Sequence, residues 1–164
     1  MLRPFLFALL LLQQTPDPTL PPAAATVVYA AEGRGAQIYR CTQQDPSYAW
    51  VFQSPEANLF DLRTHRQIGT HGAGPTWTWN DGSAISGKVL QKLPSPDSNS
   101  IPWLLLSTTP SGTRAGALTS ITLVRRSDTH GGNPPATGCD AQHASAILRV
   151  PYTATYTFYA APLK

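Results

Sequence analysis

The stretch Val150-Pro151-Tyr152-Thr153-Ala154-Thr155-Tyr156-Thr157-Phe158-Tyr159, near the C-terminus, decides the fold class. On an extended chain Tyr152, Ala154, Tyr156 and Phe158 fall on one side, and Thr153, Thr155, Thr157 and Tyr159 on the other. Successive side chains of a strand point to opposite faces, so this alternation predicts a strand with one buried face. A helix would scatter the same rings around its axis. Aromatic and β-branched residues also suit a pleated, half-buried surface.

Working outward from that strand, short runs of the same character recur between turn formers. Residues 26–30 open the series, and Gly33-Arg34-Gly35 reads as a turn into 36–41. There Gln37, Tyr39 and Cys41 share one face, while Ala36, Ile38 and Arg40 share the other. Residues 48–53 form an aromatic strand carrying Trp50 and Phe52 on one face. Ser54-Pro55-Glu56-Ala57 could open a helix, with Ser as cap and Pro in the first turn. The preferred reading is a strand over 58–62 that enters a hairpin at 63–66 and returns over 67–71.

Residues 76–80 put Trp77 and Trp79 on one face, and Asn80-Asp81-Gly82-Ser83 contains the Asp-Gly step that favours a tight hairpin into 84–93. Residues 94–100 read as a polar loop expected to be disordered. Residues 101–108 are apolar on both faces and so read as a strand covered on both sides. Residues 118–126 are expected as another long strand. Residues 128–138 read as a Gly- and Pro-rich loop delivering Cys139, and 140–146 could form one helical turn. The expectation is an all-β domain: an antiparallel β-sandwich or closed barrel of roughly 8–10 short strands, with little helix.

Composition agrees. Charged residues make up 13% of the 164, against 12 Gly and 16 Pro, which suits a loop-rich β domain better than a helical one. Met1, Leu2 and Arg3 precede the uncharged apolar run 5–12, in the pattern of a secretory signal too short to span a bilayer as a helix. Residues 1–25 are thus expected to be a signal peptide and Pro-rich arm, and 26–164 a single β domain. Cleavage after Ala25 competes with processing near Gln14, which would leave 15–22 as a disordered arm. An uncleaved anchor is the alternative; after processing no transmembrane domain is expected. The expected location is periplasmic, extracellular or cell-surface. In such a compartment the two cysteines, Cys41 and Cys139, read as a disulfide rather than a redox pair or a zinc site. The net charge of +3 is scattered apart from Arg125-Arg126, so no nucleic-acid surface is expected.

The densest candidate segment for chemistry is Gly69-Thr70-His71-Gly72-Ala73-Gly74-Pro75-Thr76-Trp77-Thr78-Trp79-Asn80-Asp81-Gly82-Ser83. Trp77 and Trp79 could stack on a sugar or flat apolar ligand, with His71 and Asp81 supplying hydrogen bonds. The competing reading packs both indoles in the core, ties His71 to a backbone carbonyl and gives Asp81 the turn to shape. A hydrolase triad of Ser83, His71 and Asp81 can be drawn, but no G-x-S-x-G elbow supports it. His65, His71, His130 and His143 lack metal-ligand spacing, so neither a metal nor a cofactor is expected. Thr129-His130-Gly131-Gly132 reads as a glycine-permitted loop rather than a phosphate cradle.

Together with Gln37-Ile38-Tyr39-Arg40-Cys41, Ile101-Pro102-Trp103-Leu104-Leu105-Leu106 and Val150-Pro151-Tyr152-Thr153-Ala154, that segment resembles a secreted bacterial and fungal family, the domain of unknown function numbered 3455. The resemblance spans nearly all of the expected mature chain and implies an exported β-rich domain. Some fungal members carry a malate dehydrogenase label; without a G-x-G-x-x-G or alternating βα units, this chain gives that label no support. Arg63-Thr64-His65-Arg66 stands where the family's hairpin usually has an Asp-x-x-Gly turn. The functional expectation is a β scaffold binding a small molecule, a carbohydrate or a surface partner. The alternatives are an extracellular hydrolase using His71 and Asp81, and a structural envelope or coat protein without a ligand.

Overall fold

Tyr152, Ala154, Tyr156 and Phe158 all face inward, at 3% exposure or less, and their strand closes a barrel. The computed structural model describes residues 16–161. The signal-like run 1–12 lies outside them. Eight strands follow one another in space in the order of the chain, each antiparallel to the next, and the last pairs with the first. They are β1 (Thr26–Gln44), β2 (Ser47–Asp61), β3 (Gln67–Gly72), β4 (Thr76–Trp79), β5 (Ala84–Leu93), β6 (Trp103–Pro110), β7 (Leu123–Gly131) and β8 (Ile147–Ala160). Closure gives every strand a neighbour on both sides, although β2 and β5 extend past the short β3 and β4 between them.

The register shows how the alternation builds an inside and an outside. Arg34, Asn58, Thr70 and Thr78 pair side by side across β1–β4 and are all exposed. The neighbouring row, Gly33, Leu59, Gly69 and Trp79, faces inward. Small residues there alternate with large ones: a Cβ on Gly33 would meet the Tyr156 ring, and one on Gly69 would meet the backbone and ring at Thr78 and Trp79. An apolar interior with a polar exterior is the reverse of the pattern in a membrane-spanning barrel. No helix among the described residues is long and apolar enough to cross a membrane.

Several expectations are corrected. Gly33-Arg34-Gly35 is not a turn: 26–30 and 36–41 are one strand, because the glycines serve close approach between β1, β2 and β8. Residues 48–53 and 58–62 likewise form one strand, so Ser54–Ala57 is extended rather than helical. The hairpin expected at 63–66 forms, with Leu62 in the turn rather than in the strand. Asp61 Oδ1 accepts from the backbone amides of Arg63 and Thr64, and His65 takes the left-handed conformation (φ 56°) that glycine would occupy more easily. The Asp-Gly hairpin also forms, with Gly82 at φ 86°. The helical turn near Asp140 is a 3-10 turn, Ala141–His143, capped by Asp140.

Residues 118–126 are not one strand. β7 begins at Leu123, and 118–122 turn inward so that Leu118 and Ile121, at 0% and 1% exposure, plug one end of the barrel. β7 then runs on to Gly131, so strand occupies the start of the expected loop 128–138. Residues 94–100 are held rather than disordered: Ser100 Oγ donates to Asp97 and accepts from the Gly131 amide.

Residues 16–25 lie against the outside of β6–β8. Asp17 pairs with Arg125 at 2.7 Å, Arg125 Nε donates to Thr19 Oγ1, and its guanidinium sits over the Trp103 ring. Ala25 packs on Leu105, Leu123 and Tyr159. This cover explains why 101–108 is apolar on both faces in a closed barrel: Leu106 faces the core and Leu105 faces the arm.

Candidate functional site

In an up-and-down barrel, alternate loops emerge at the same end. The β2–β3, β4–β5 and β6–β7 connections share the plugged end, where Leu59, Trp79, Ile85, Val124 and Phe158 fill the interior with Leu118 and Ile121. The β1–β2, β3–β4, β5–β6 and β7–β8 connections surround the other end. That half is hollow, with a cavity of about 620 Å³. The size is within the range of small-molecule sites, and an eight-stranded barrel is wide enough to hold one such ligand.

Trp77 and Tyr156 line the deep part of this cavity beside His71, and Leu104 and Leu106 line its wall. Phe52 and Val89, each about half exposed, form an apolar lip. His71 stacks on Trp77 with ring centroids 4.7 Å apart and planes at 12°. Its Nδ1 lies 2.8 Å from Thr76 O, and a carbonyl only accepts, so the proton is on Nδ1 and Nε2 is left an acceptor. Burial pushes the imidazole pKa down to about 4, with the nearby Arg126 charge acting in the same direction. His71 is therefore neutral at physiological pH.

Among the described residues, Gln37 Nε2 and Trp77 Nε1 are buried in the cavity lining without a hydrogen-bond partner, as is Trp103 Nε1 away from the cavity, where Arg125 covers its ring. Gln37 Nε2 approaches the Tyr152 hydroxyl closely enough to favour its ionised form, but without hydrogen-bond geometry. Tyr152 and Tyr156 share a hydroxyl–hydroxyl bond of 3.1 Å, and burial raises the pKa of both phenols. Tyr39 donates to Gly132 O. Arg126 donates Nε and Nη2 to Pro102 O and has no carboxylate partner among the described residues.

The sequence-predicted residues divide between the two ends. His71 and Trp77 pair across β3 and β4 and both line the cavity. Trp79 lies two residues further along, packed edge-on to Phe158 at 4.8 Å in the filled half. Asp81 lies beyond it, in the β4–β5 turn at the plugged end. Trp77 and Asp81 are four residues apart, roughly 10 Å or more of nearly extended chain. No hydrogen bond joins Asp81 or Ser83 to His71. Instead Ser83 Oγ donates to Asp81 at 2.6 Å and accepts from the Leu118 amide, while Asp81 Oδ2 accepts from the Ala117 amide at 2.7 Å. These bonds, led by that of Ala117, hold the Asp81 carboxyl down at about 2. The pair anchors the plug loop.

Of the other histidines, His143 bonds Asp140, and His65 and His130 are exposed. No group of three or more potential metal ligands occurs among the described residues. Gln37, Arg126 and Tyr156 were not singled out as site residues. Parity could have found them: Arg126 is two residues from the inward Val124, and Gln37 shares a face with Tyr39.

The mouth is tied by covalent and polar links. Cys41 and Cys139 form a disulfide across a sequence separation of 98. It joins β1 to the 132–146 loop, which also receives a hydrogen bond from Trp50 Nε1 at Thr137 O and exchanges backbone bonds with Cys41 through Ser145 and Ala146. A long loop that could drift over the cavity is thereby fixed beside it.

No curated protein and no solved structure matches the chain. The family described as Protein of unknown function (DUF3455) matches residues 21–160, more than half of the sequence, and the chain belongs to that family.

Proposed function

We propose that this is an exported carrier of one small, largely apolar molecule, held in the open half of the barrel. The observation that carries the reading is the cavity of about 620 Å³ at one end of an otherwise filled interior. A barrel selected for stability alone gains by filling such a space, since a void forfeits dispersion contacts around its lining. Here the long strands β1, β2 and β8 rise past the short β3 and β4, and the aromatic floor of Trp77 and Tyr156 ends in open space. Export is supported by the Cys41–Cys139 disulfide and by the signal-like apolar run at 5–12.

The test is a fluorescence titration with N-phenyl-1-naphthylamine, a neutral dye that brightens in apolar surroundings. Saturable binding at one site per chain is expected. Leu104→Trp, which puts a larger side chain into the lumen from a half-buried position, should abolish it while leaving the melting temperature within a few degrees. Absence of dye binding, or binding untouched by Leu104→Trp in a folded variant, would sink the carrier reading.

A further inference from the structure

The lumen's unused hydrogen-bonding capacity has a sign. Gln37 and Trp77, at 2% and 1% exposure, each keep an unpaired buried N–H donor, Nε2 and Nε1 respectively, and both residues line the cavity. Buried donors without partners are costly and uncommon in native proteins, so an acceptor is expected to complete them. Arg126 lines the same space with a guanidinium that no carboxylate neutralises among the described residues. Its charge is felt at His71, Tyr39, Tyr152 and Tyr156, whose ionisation it shifts in each case towards the less positive form.

No Asp or Glu lines the cavity among the described residues. Tyr39 and His71 Nδ1 already spend their protons on Gly132 O and Thr76 O. The buried polar atoms left unpaired in the lumen are thus donors, beside a positive charge, although His71 Nε2 and the amide oxygens of Gln37, Gln53 and Asn133 also line it as neutral acceptors. The outer part combines apolar Phe52 and Val89 with the exposed cation Lys92, and Leu104 and Leu106 continue the apolar surface inward.

We propose that the bound molecule is an amphipathic carboxylate, with its carboxylate inward among Gln37, Trp77 and Arg126 and its apolar body along Leu104 and Leu106 towards the lip. A carboxylate accepts several hydrogen bonds at once and neutralises the guanidinium, a combination that an alcohol or an amine cannot supply. The proposal rests on the lumen being a binding site, as argued above. It goes beyond it by assigning the head group and the direction of entry.

Displacement of bound N-phenyl-1-naphthylamine by decanoate, decanol and decylammonium at neutral pH separates the two readings. All three carry the same tail. Decanoate should displace the dye at concentrations about tenfold or more below those of decanol, with decylammonium weakest, since a charge-assisted hydrogen bond commonly accounts for at least that ratio. Arg126→Gln should erase the preference for decanoate, read as the ratio of decanoate to decanol displacement within the same folded variant, and Arg126→Lys should keep part of it.

Equal displacement by decanoate and decanol in the native protein would overturn the head-group assignment and leave the carrier reading standing. A preference for decanoate that survives Arg126→Gln in a folded variant would also overturn it. Failure of the native protein to bind the dye or any of the three would remove both readings. The comparison of three ligands on the native protein does not depend on any variant folding.

Discussion

Leu118 offers the sharpest test of the division between a filled half and a hollow half. Its side chain, at 0% exposure, enters the barrel from a loop rather than from a strand, and packs with Ile121 in the main core cluster. Truncation to alanine removes three buried carbon atoms and leaves a void that neighbours can only partly collapse into. Buried Leu→Ala changes cost about 2.7–5 kcal/mol, the spread reflecting how far the site relaxes. The loop is anchored by the bonds of its Ala117 and Leu118 amides to Asp81 and Ser83, so it cannot slide inward freely. Water can reach the barrel end more easily than a sealed core, however, which favours the lower part of the range. A loss of about 3 kcal/mol is therefore expected, and for a domain of this size it corresponds to a fall of roughly 6–12 °C in melting temperature. Calorimetry or circular dichroism on the intact chain reads this directly, with urea unfolding as the independent check. Dye affinity measured below the transition should be unchanged, because the cavity lies at the other end. A loss under about 1 kcal/mol would refute the plug as part of the cooperative core. A large loss of dye binding in the folded variant would refute the separation of the two halves.

Two further perturbations act at the open end. Replacing both cysteines, Cys41→Ser with Cys139→Ser, releases a loop closed across 98 residues; the chain-entropy model puts the cost at about 4–5 kcal/mol, read as a fall of roughly 10–15 °C in melting temperature. A shift of only a few degrees would mean that the link constrains the 132–146 loop and little of the unfolded chain. His71 predicts a pH dependence: its pKa falls from 6.5 in the unfolded chain to about 4 when buried, so the unfolded state takes up the proton first as pH drops. Stability from this group is complete above about 6.5 and is lost progressively towards 4, by roughly 3 kcal/mol. His71→Asn should flatten that part of the urea-midpoint profile, and an unchanged slope would place the titration elsewhere.

The strand content was legible because Tyr152, Tyr156 and Phe158 alternate with threonines, and because Asp81-Gly82 marks its hairpin without help from the rest of the chain. Closure into a barrel was not legible, since the pairing of β1 with β8 joins the two ends of the domain and depends on no local signal. Gly33 and Gly35 misled for a physical reason. Glycine marks a turn and a site of close backbone approach equally well, and only the Tyr156 ring and the β2 backbone across the sheet reveal which applies here. Leu118 and Ile121 misled in the opposite sense, because an apolar run reads as strand whether it lines a barrel or plugs one. Of the candidate site, His71 and Trp77 were found from their chemical density. Trp79 and Asp81 were grouped with them only because they are near in sequence, and the short β4 carries them to the other end.

The two ends of β4 explain why one segment could suggest both a binding site and a hydrolase. Residues 69–83 run from the cavity wall through the filled core to the plug anchor, so their side chains serve three different purposes within one hairpin. At the plug, every polar group noted is satisfied: Asp81 receives Ser83 and Ala117, and Ser83 receives Leu118. At the cavity, Gln37 and Trp77 keep donors that nothing among the described residues accepts. Each unpaired buried donor costs about 1–3 kcal/mol, enough to matter against the small net stability of a single domain. The same chain that saturates its bonds at one end leaves them open at the other. On the carrier reading proposed above, that contrast is what an acceptor bound in the cavity would resolve, whereas filling a loosely packed core with apolar atoms would leave both donors unpaired.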